Sequence, residues 1–188
     1  RDGVARQDFA SRFAGARVVD DLTTPTPPDF NSPYVALEGD LRAGRCWRIL
    51  QTSAQLGVKL AQQIEVTHLS IDHIPGELVM NLTHAPRDII LWGVTDTMLF
   101  PLLQYVEDPI WLSISRRTPA LTKDGQIVVP LAVIQYNISS SDIIQTFPVP
   151  DSIFANGTFS LFIVDILNNW GAEWTCLYRV RIHGKAMV

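Results

Sequence analysis

The alternation of apolar and polar side chains predicts that most of the chain forms short β-strands. Residues 59–74 alternate between two faces and carry many β-branched side chains, a pattern that favours a strand. Four further segments are apolar and β-branched: 87–94, 126–136, 143–149 and 158–167. An Asn-Gly pair at 156–157 predicts the turn before the last of them. Many short strands with Pro and Gly between them indicate an all-β protein with a β-sandwich or jelly-roll fold.

Two segments depart from the strand pattern. Residues 2–14 carry apolar side chains at a weak helical period, which predicts a short helix within an N-terminal extension over residues 1–14. Residues 20–33 contain four prolines, which exclude both a helix and a central strand. This second segment is therefore predicted to be a loop.

Composition and charge limit the choice of partner. The 188 residues are 47% hydrophobic and 18% charged, as expected for one globular domain with a single core. The net charge is −4 and the longest basic run is Arg116-Arg117, which argues against nucleic acid or an anionic membrane surface as partner. No apolar stretch is long enough to cross a membrane, and the N-terminus does not resemble a signal peptide. We expect a cytosolic protein or a piece of a longer chain.

The sequence carries no recognisable catalytic motif. A nucleophile elbow, a phosphate-binding loop and a zinc-protease helix motif are all absent from the sequence. The histidines lack the spacing of a metal-ligand set, and a site built from His73, His84 and Cys46 would require a coincidence of folding. We therefore predict no metal site and no enzymatic activity.

The cysteines and three glycosylation motifs bear on the compartment of the protein. Cys46 and Cys176 are the only cysteines, and their spacing is compatible with two buried thiols or with one long-loop disulfide. Asn81, Asn137 and Asn156 each begin an N-glycosylation motif in turn-like sequence. Chance accounts for such motifs about as well as glycosylation does.

The C-terminal stretch 168–184, NNWGAEWTCLYRVRIHG, is unusually rich in large side chains. In an extended chain, its Cys176 and Tyr178 lie on the same face. The stretch resembles the C-terminal signature of the SUN (Sad1/UNC homology) domain. Three further blocks resemble that family in the same order: DFASRFAGARVV (8–19), AGRCWRI (43–49) and LSIDHIPGEL…THAPRDIILWG (69–93).

The resemblance implies a SUN domain over residues 15–188 that binds the C-terminal KASH peptide of an outer nuclear membrane protein. It implies a LINC complex that bridges the nuclear envelope and couples the nucleus to the cytoskeleton. This domain would lie in the perinuclear space as part of an inner nuclear membrane protein, whose transmembrane segment lies outside these residues. The full-length protein would be a homotrimer. The resemblance also pairs Cys46 with Cys176, which suits an oxidising lumen.

The family's peptide pocket corresponds to four residues of this chain. They would receive the carboxylate of the KASH tail, and they are His73, His84, Trp174 and Tyr178. His84 stands where the family usually has a serine, and Trp174 where it usually has a tyrosine. His84 can still donate a hydrogen bond, and its protonation near pH 6 would strengthen binding to a carboxylate.

The resemblance also implies a loop whose main-chain carbonyls hold a monovalent, potassium-like cation within residues 35–46. The corresponding positions are Val35, Glu38, Asp40 and Arg45, with Tyr178 beside them. Arg45 stands where animal members carry asparagine, so a guanidinium could take the place of the ion or point outward.

Two segments differ from animal SUN domains. The proline-rich residues 20–33 are shorter than the hairpin lid under which the KASH peptide adds as a strand, and Thr23 replaces the cysteine that crosslinks to the peptide. Residues 94–135 are longer than their animal equivalent. Both features resemble a fungal Sad1-type branch. A different function remains open: a SUN-like luminal module in endoplasmic-reticulum protein handling, or a glycan-binding domain, without a KASH partner.

Overall fold

The structure, a computed structural model, describes residues 6–95, 117–151 and 157–187. Nine β-strands form within these ranges and no α-helix does. The strands are β1 (Arg17–Val18), β2 (Trp47–Ile49), β3 (Ala54–Asp72), β4 (Asp88–Thr95), β5 (Ile127–Gln135), β6 (Ile144–Pro148), β7 (Thr158–Ile166), β8 (Thr175–Leu177) and β9 (Arg179–Ala186). The predicted all-β fold is confirmed.

The long strand β3 organises the antiparallel sheet. Its first half pairs with β1 and β7, and the sheet continues through β4 to β5. Its second half pairs with β6 on one side and β9 on the other. The register of β3 shifts between Lys59 and Ile64 and again between Val66 and His68. Such irregularities bend a strand, so β3 contributes to both halves of the fold and one main core fills the space between them.

The runs of β-branched side chains become strands that are buried on both faces. β4 is the clearest case, because six consecutive residues within it are buried. One face of β4 packs in the main core, while Ile90, Trp92 and Val94 form a second cluster with Leu22 and Ile163. The buried Leu22 side chain therefore packs the first residues of the proline-rich segment against the sheet.

The helix predicted over residues 2–14 is wrong for the part that the structure describes. Only a single 3-10 turn forms, at Arg12–Ala14. The Asp8 carboxylate accepts a hydrogen bond from the Ala10 N–H, and the Ser11 hydroxyl accepts one from the Phe13 N–H. Gly15 then ends the turn with φ of 87°. These local bonds compete with a helix at its first turn.

The proline-rich segment lies against the domain and forms no strand in residues 20–33. The Thr24 N–H donates to the Gln55 carbonyl at 2.8 Å, and the Trp47 indole N–H donates to the Thr26 hydroxyl at 2.7 Å. Thr23 is buried, where its hydroxyl donates to the Val19 carbonyl. The segment is thus anchored at several points and does not project as a hairpin.

The segment 94–135 begins and ends in the sheet. β4 extends to Thr95 and β5 begins at Ile127, and these two strands pair with each other along their length. Residues 96–116 lie outside the described part. Within the described ranges, no helix has the length and apolar character needed to span a membrane.

Candidate functional site

A small two-stranded ribbon forms the base of the site. β2 and β8 pair so that Arg48 lies opposite Cys176. Directly before β2, Cys46 forms a disulfide with Cys176, with the two Cα atoms 5.5 Å apart. This confirms the predicted pairing of the two cysteines. The bond joins the loop that precedes β2 to the C-terminal segment, and both sides of it are buried.

Hydrogen bonds of the Asn169 side chain determine the conformation of the loop that precedes β8. The buried amide of Asn169 donates to the carbonyls of Ala172 and Trp174, and its carbonyl oxygen accepts from the N–H groups of Gly171 and Ala172. Gly171 has φ of 112°, a conformation that favours glycine. The Asn-Trp-Gly sequence therefore fixes the position of Trp174 over the ribbon.

The structure brings together all four residues predicted for the peptide pocket. His73 contacts Tyr178 edge-on, with ring centroids 4.7 Å apart, and His84 stacks on Trp174 at 4.4 Å. The two histidine rings are 6.2 Å apart. A pocket of about 470 Å³ opens beside His84, Trp174 and Tyr178, with the disulfide in its wall.

Tyr178 is placed to donate a hydrogen bond to a ligand. Its hydroxyl oxygen accepts from the Gly44 N–H at 3.1 Å, which leaves the hydroxyl proton available. Burial raises the pKa of Tyr178, and the bond from Gly44 opposes this shift. The hydroxyl therefore stays protonated at neutral pH.

His73 has a defined tautomer. It is 1% exposed, and its Nδ1 lies 3.1 Å from the Ile74 carbonyl, which can only accept. Nδ1 therefore carries the proton, and Nε2, which has no partner among the described residues, is left as an acceptor. Burial lowers the pKa of His73, the Ile74 bond opposes this, and nearby His84 adds to it. His73 lies behind the pocket, since it is not among the residues that line it and its Nε2 is buried.

The expectation that His84 becomes charged near pH 6 is corrected by its surroundings. His84 is 9% exposed, and burial is the main reason that its pKa lies below the ordinary value. The Arg48 guanidinium lowers the pKa of His84 further by repulsion. Both effects oppose the charged form of His84 before a ligand binds. Its carbonyl accepts from the Cys176 N–H at 2.8 Å, which ties it to β8.

Arg48 is a member of the site that the sequence analysis missed. Its guanidinium lies 4.3 Å from the centre of the Trp174 ring and 5.3 Å from that of Phe30, and all three residues line the pocket. One signal could have indicated it: in a strand, Arg48 lies on the same face as Cys46. Its aromatic partners, Phe30 and Trp174, come from distant segments, and the sequence alone does not show that they contact Arg48.

The predicted cation loop holds a cluster of arginine and carboxylate side chains. Arg45 lies 3.2 Å from a Glu38 oxygen and 3.2 Å from an Asp40 oxygen. Arg12 also pairs with Glu38, and Arg42 pairs with Asp40. The hydrogen bonds from Arg42 lower the pKa of Asp40 to about 2. Positive charge thus already surrounds both carboxylates, and a cation held by the main-chain carbonyls of this loop stays a prediction.

Val35 and Tyr178, the other residues predicted for this loop, form none of these ion pairs. The Val35 carbonyl accepts from the Glu38 N–H at 3.2 Å. Tyr178 reaches the same loop through Gly44. No group of three or more His, Cys, Asp or Glu side chains suited to a metal ion occurs within residues 6–95, 117–151 and 157–187.

Two of the three glycosylation motifs lie on the described surface. Asn81 and Asn137 are exposed, and the side-chain oxygen of each accepts from the backbone N–H two residues further on. Asn81 also lines the pocket. Asn156 lies outside the described residues.

Comparison with known proteins places the chain in a family. The profile described as Sad1 / UNC-like C-terminal matches residues 27–99 and 111–186. Human "SUN domain-containing protein 5" is 26% identical over an alignment of 207 positions, which covers 98% of this chain and 45% of that protein. Mouse "SUN domain-containing protein 2" is 30% identical over 157 positions, which cover 82% of this chain and 18% of that protein. The chain thus spans less than half the length of these relatives.

The fold is similar to that of a family 32 carbohydrate-binding module from Streptococcus pneumoniae EndoD. The TM-score is 0.61 at 16% identity, and the match covers 95% of this chain and all of that one. At this identity the similarity establishes the jelly-roll architecture alone. Because the family profile covers most of the residues, including the disulfide and the pocket, the chain belongs to the Sad1/UNC-like C-terminal family of SUN domains.

Proposed function

We propose that this domain binds the C-terminal KASH peptide of an outer nuclear membrane protein, and that the pocket beside His84, Trp174 and Tyr178 receives the carboxylate of its last residue. The observation that supports the proposal most is that these three residues line one pocket, with His73 packed against Tyr178 behind it, in a member of the SUN family. No enzymatic step is part of the proposed function.

The chemistry of the pocket suits the end of a peptide. The Tyr178 hydroxyl can donate to a carboxylate oxygen, and Trp174 and His84 line the same pocket. Val79 and Met80 also line it, and Met80 is fully exposed. Side chains near the end of a peptide could pack on Met80, since flexible methionine adapts to varied partners.

The short proline-rich segment affects the expected affinity. It is anchored along the sheet through Thr24 and Thr26, so it offers no hairpin edge to which a peptide could add as a strand. Each lost main-chain hydrogen bond forfeits about 0.5–1.5 kcal/mol of binding free energy. We therefore expect recognition to depend mainly on the pocket.

The proposed cellular setting follows from the same function. A KASH tail reaches the perinuclear space, where disulfides persist, and the Cys46–Cys176 bond suits that compartment. The domain would then belong to a LINC complex as part of an inner nuclear membrane protein, with its membrane anchor in another segment. We propose a homotrimer for that full-length protein and no nucleic-acid partner.

We propose further that Arg45 takes the place of a monovalent cation in the loop. Its guanidinium bridges Glu38 and Asp40, on either side of the position that the family resemblance assigns to the ion. A fixed guanidinium makes the loop independent of the salt present, whereas a bound ion would make it depend on potassium.

Calorimetric titration tests the proposed function directly. The probe is a synthetic peptide of about twenty residues from a KASH tail, made as the free acid and as the C-terminal amide. We expect saturable binding of the free acid and at least about tenfold weaker binding of the amide, because the amide lacks the charge. Binding of neither peptide, together with retention of this domain on a glycan array, would support the glycan-binding alternative.

A further inference from the structure

Arg48 differs from the other partly buried arginines of the described chain in having no acidic partner. Arg45, Arg87, Arg179 and Arg181 each form an ion pair with a carboxylate, as do the exposed Arg12, Arg42 and Arg117. No hydrogen bond or ion pair joins Arg48 to a described residue, and its Nε atom is buried without a partner. The one acidic residue on the pocket wall, Asp29, is exposed and forms no ion pair with it.

Arg48 is nevertheless held in place. The guanidinium lies 4.3 Å from the centre of the Trp174 ring and 5.3 Å from that of Phe30, and His84 stacks on Trp174. An aromatic ring attracts a cation to its face, so two rings hold the guanidinium without neutralising its charge. Because Arg48 lines the pocket and its Nε is buried, its two Nη groups are the donors left for a ligand.

These donors define the chemistry of the ligand. A guanidinium presents parallel N–H donors that match the two oxygens of a carboxylate. His84 can supply a second donor, because its Nδ1 has no partner among the described residues and can bind a carboxylate in the tautomer that carries the proton there. The Tyr178 hydroxyl lines the same pocket and has a free proton.

We propose that Arg48, held by Phe30 and Trp174, supplies the positive charge with which the pocket binds a carboxylate of its ligand. This inference rests on the proposed function and adds to it the residue that sets specificity for a negatively charged group. The histidines can stay neutral while the ligand binds, since the fixed charge comes from arginine. The carboxylate could belong to the last residue of a peptide or to an acidic side chain near its end.

The first test compares variants with the twenty-residue KASH-tail peptide. Arg48→Met keeps an apolar chain beside the two rings but removes the charge, and Arg48→Lys keeps the charge without the planar donors. We expect free-acid binding to weaken about ten- to a hundredfold in Arg48→Met and less in Arg48→Lys. Binding of the amide should change little. Arg17→Met, an exposed arginine on β1 outside the pocket, is the matched control for net charge.

A third peptide separates the two sources of the carboxylate. It carries a C-terminal amide and an aspartate as its last residue, so that its only terminal carboxylate is on a side chain. Binding of this peptide as strongly as the free acid would assign the site to an acidic side chain. Preference for the free acid would assign it to the chain terminus. In either case, loss of the preference in Arg48→Met supports the proposal.

A second measurement keeps the inference separate from the proposed function. Acetate and acetamide are titrated into the wild-type domain while the side-chain N–H signals of Arg48 and Trp174 are followed by NMR. We expect acetate, and not acetamide, to shift the Arg48 signal saturably. Such a shift without any binding of KASH tails would leave the role of Arg48 standing and reject the proposed partner. If KASH tails bind but Arg48→Met still prefers the free acid as wild type does, Arg48 is not the recognising charge. Absence of an acetate response would overturn the proposal as well.

Discussion

Removing the disulfide should lower the stability of this domain by an amount that the fold allows us to work out. In Cys46→Ala/Cys176→Ala the covalent link between positions 130 residues apart is lost. In the chain-entropy description, a loop of that size constrains the unfolded chain by about 5 kcal/mol at 25 °C. The folded state should change little, because the pairing of β2 with β8 and the bond from Cys176 to the His84 carbonyl remain.

This free energy translates into a change of melting temperature. For 188 residues, an unfolding entropy of about 2.1 cal/mol/K per residue gives roughly 0.4 kcal/mol/K for the whole domain. A loss of about 5 kcal/mol then corresponds to a decrease of about 12 °C, which is an upper value because a real unfolded chain is already partly compact.

Differential scanning calorimetry of oxidised wild type and of the double alanine variant measures this difference. Peptide mapping without reductant first establishes that the wild type is crosslinked. A decrease of less than about 3 °C in a reversible, two-state transition would refute the reasoning, because it would mean that the bond hardly restricts the unfolded chain. Loss of folded structure at 25 °C would also refute the reasoning, because the bond would then contribute far more than about 5 kcal/mol.

Four further predictions concern the pocket and its surroundings. Tyr178→Phe should weaken binding of a free-acid KASH tail about ten- to a hundredfold in calorimetry and leave the amide nearly unchanged, since it removes one donor to an anion. Wild-type affinity should differ by less than about threefold between pH 6 and pH 8, because burial and Arg48 hold the pKa of His84 below its ordinary value; tight proton-linked binding at pH 6 would contradict this. Melting of the wild type should be equal in potassium and in choline chloride at one ionic strength, whereas Arg45→Asn should become dependent on potassium if the guanidinium replaces an ion. A glycan on Asn81, detected by mass spectrometry of secreted material, should reduce tail binding relative to Asn81→Gln, because Asn81 lines the pocket.

Strand positions were predictable from the sequence because their pattern is strong and local. The prediction of a strand over 87–94 agrees with β4 to within a residue at each end, since a run of buried β-branched side chains has few other solutions. The helix over 2–14 failed because Asp8 and Ser11 bind nearby backbone N–H groups, a competition that apolar periodicity does not register.

The site was predictable only through its family motifs. These identified His73, His84, Trp174 and Tyr178, which the structure brings together although their roles in binding stay a prediction. The sequence analysis missed Arg48 because its role depends on the aromatic rings beside its guanidinium and on the lack of a carboxylate partner among the described residues. Such relations belong to tertiary structure. The lowered pKa of His84 is another case, since it depends on burial and on the charge of Arg48.

The position of β9 has a consequence for how the domain comes to be folded during synthesis. β9 is the last strand, and it pairs with the second half of β3, while its His183 binds the Gln7 carbonyl 176 residues away. The residues up to β9 must therefore be made before the sandwich can close, and contacts between such distant residues form slowly. Cys46 has no disulfide partner within the domain until Cys176 has been made. Because these 188 residues contain only two cysteines, oxidation within the domain cannot join the wrong pair.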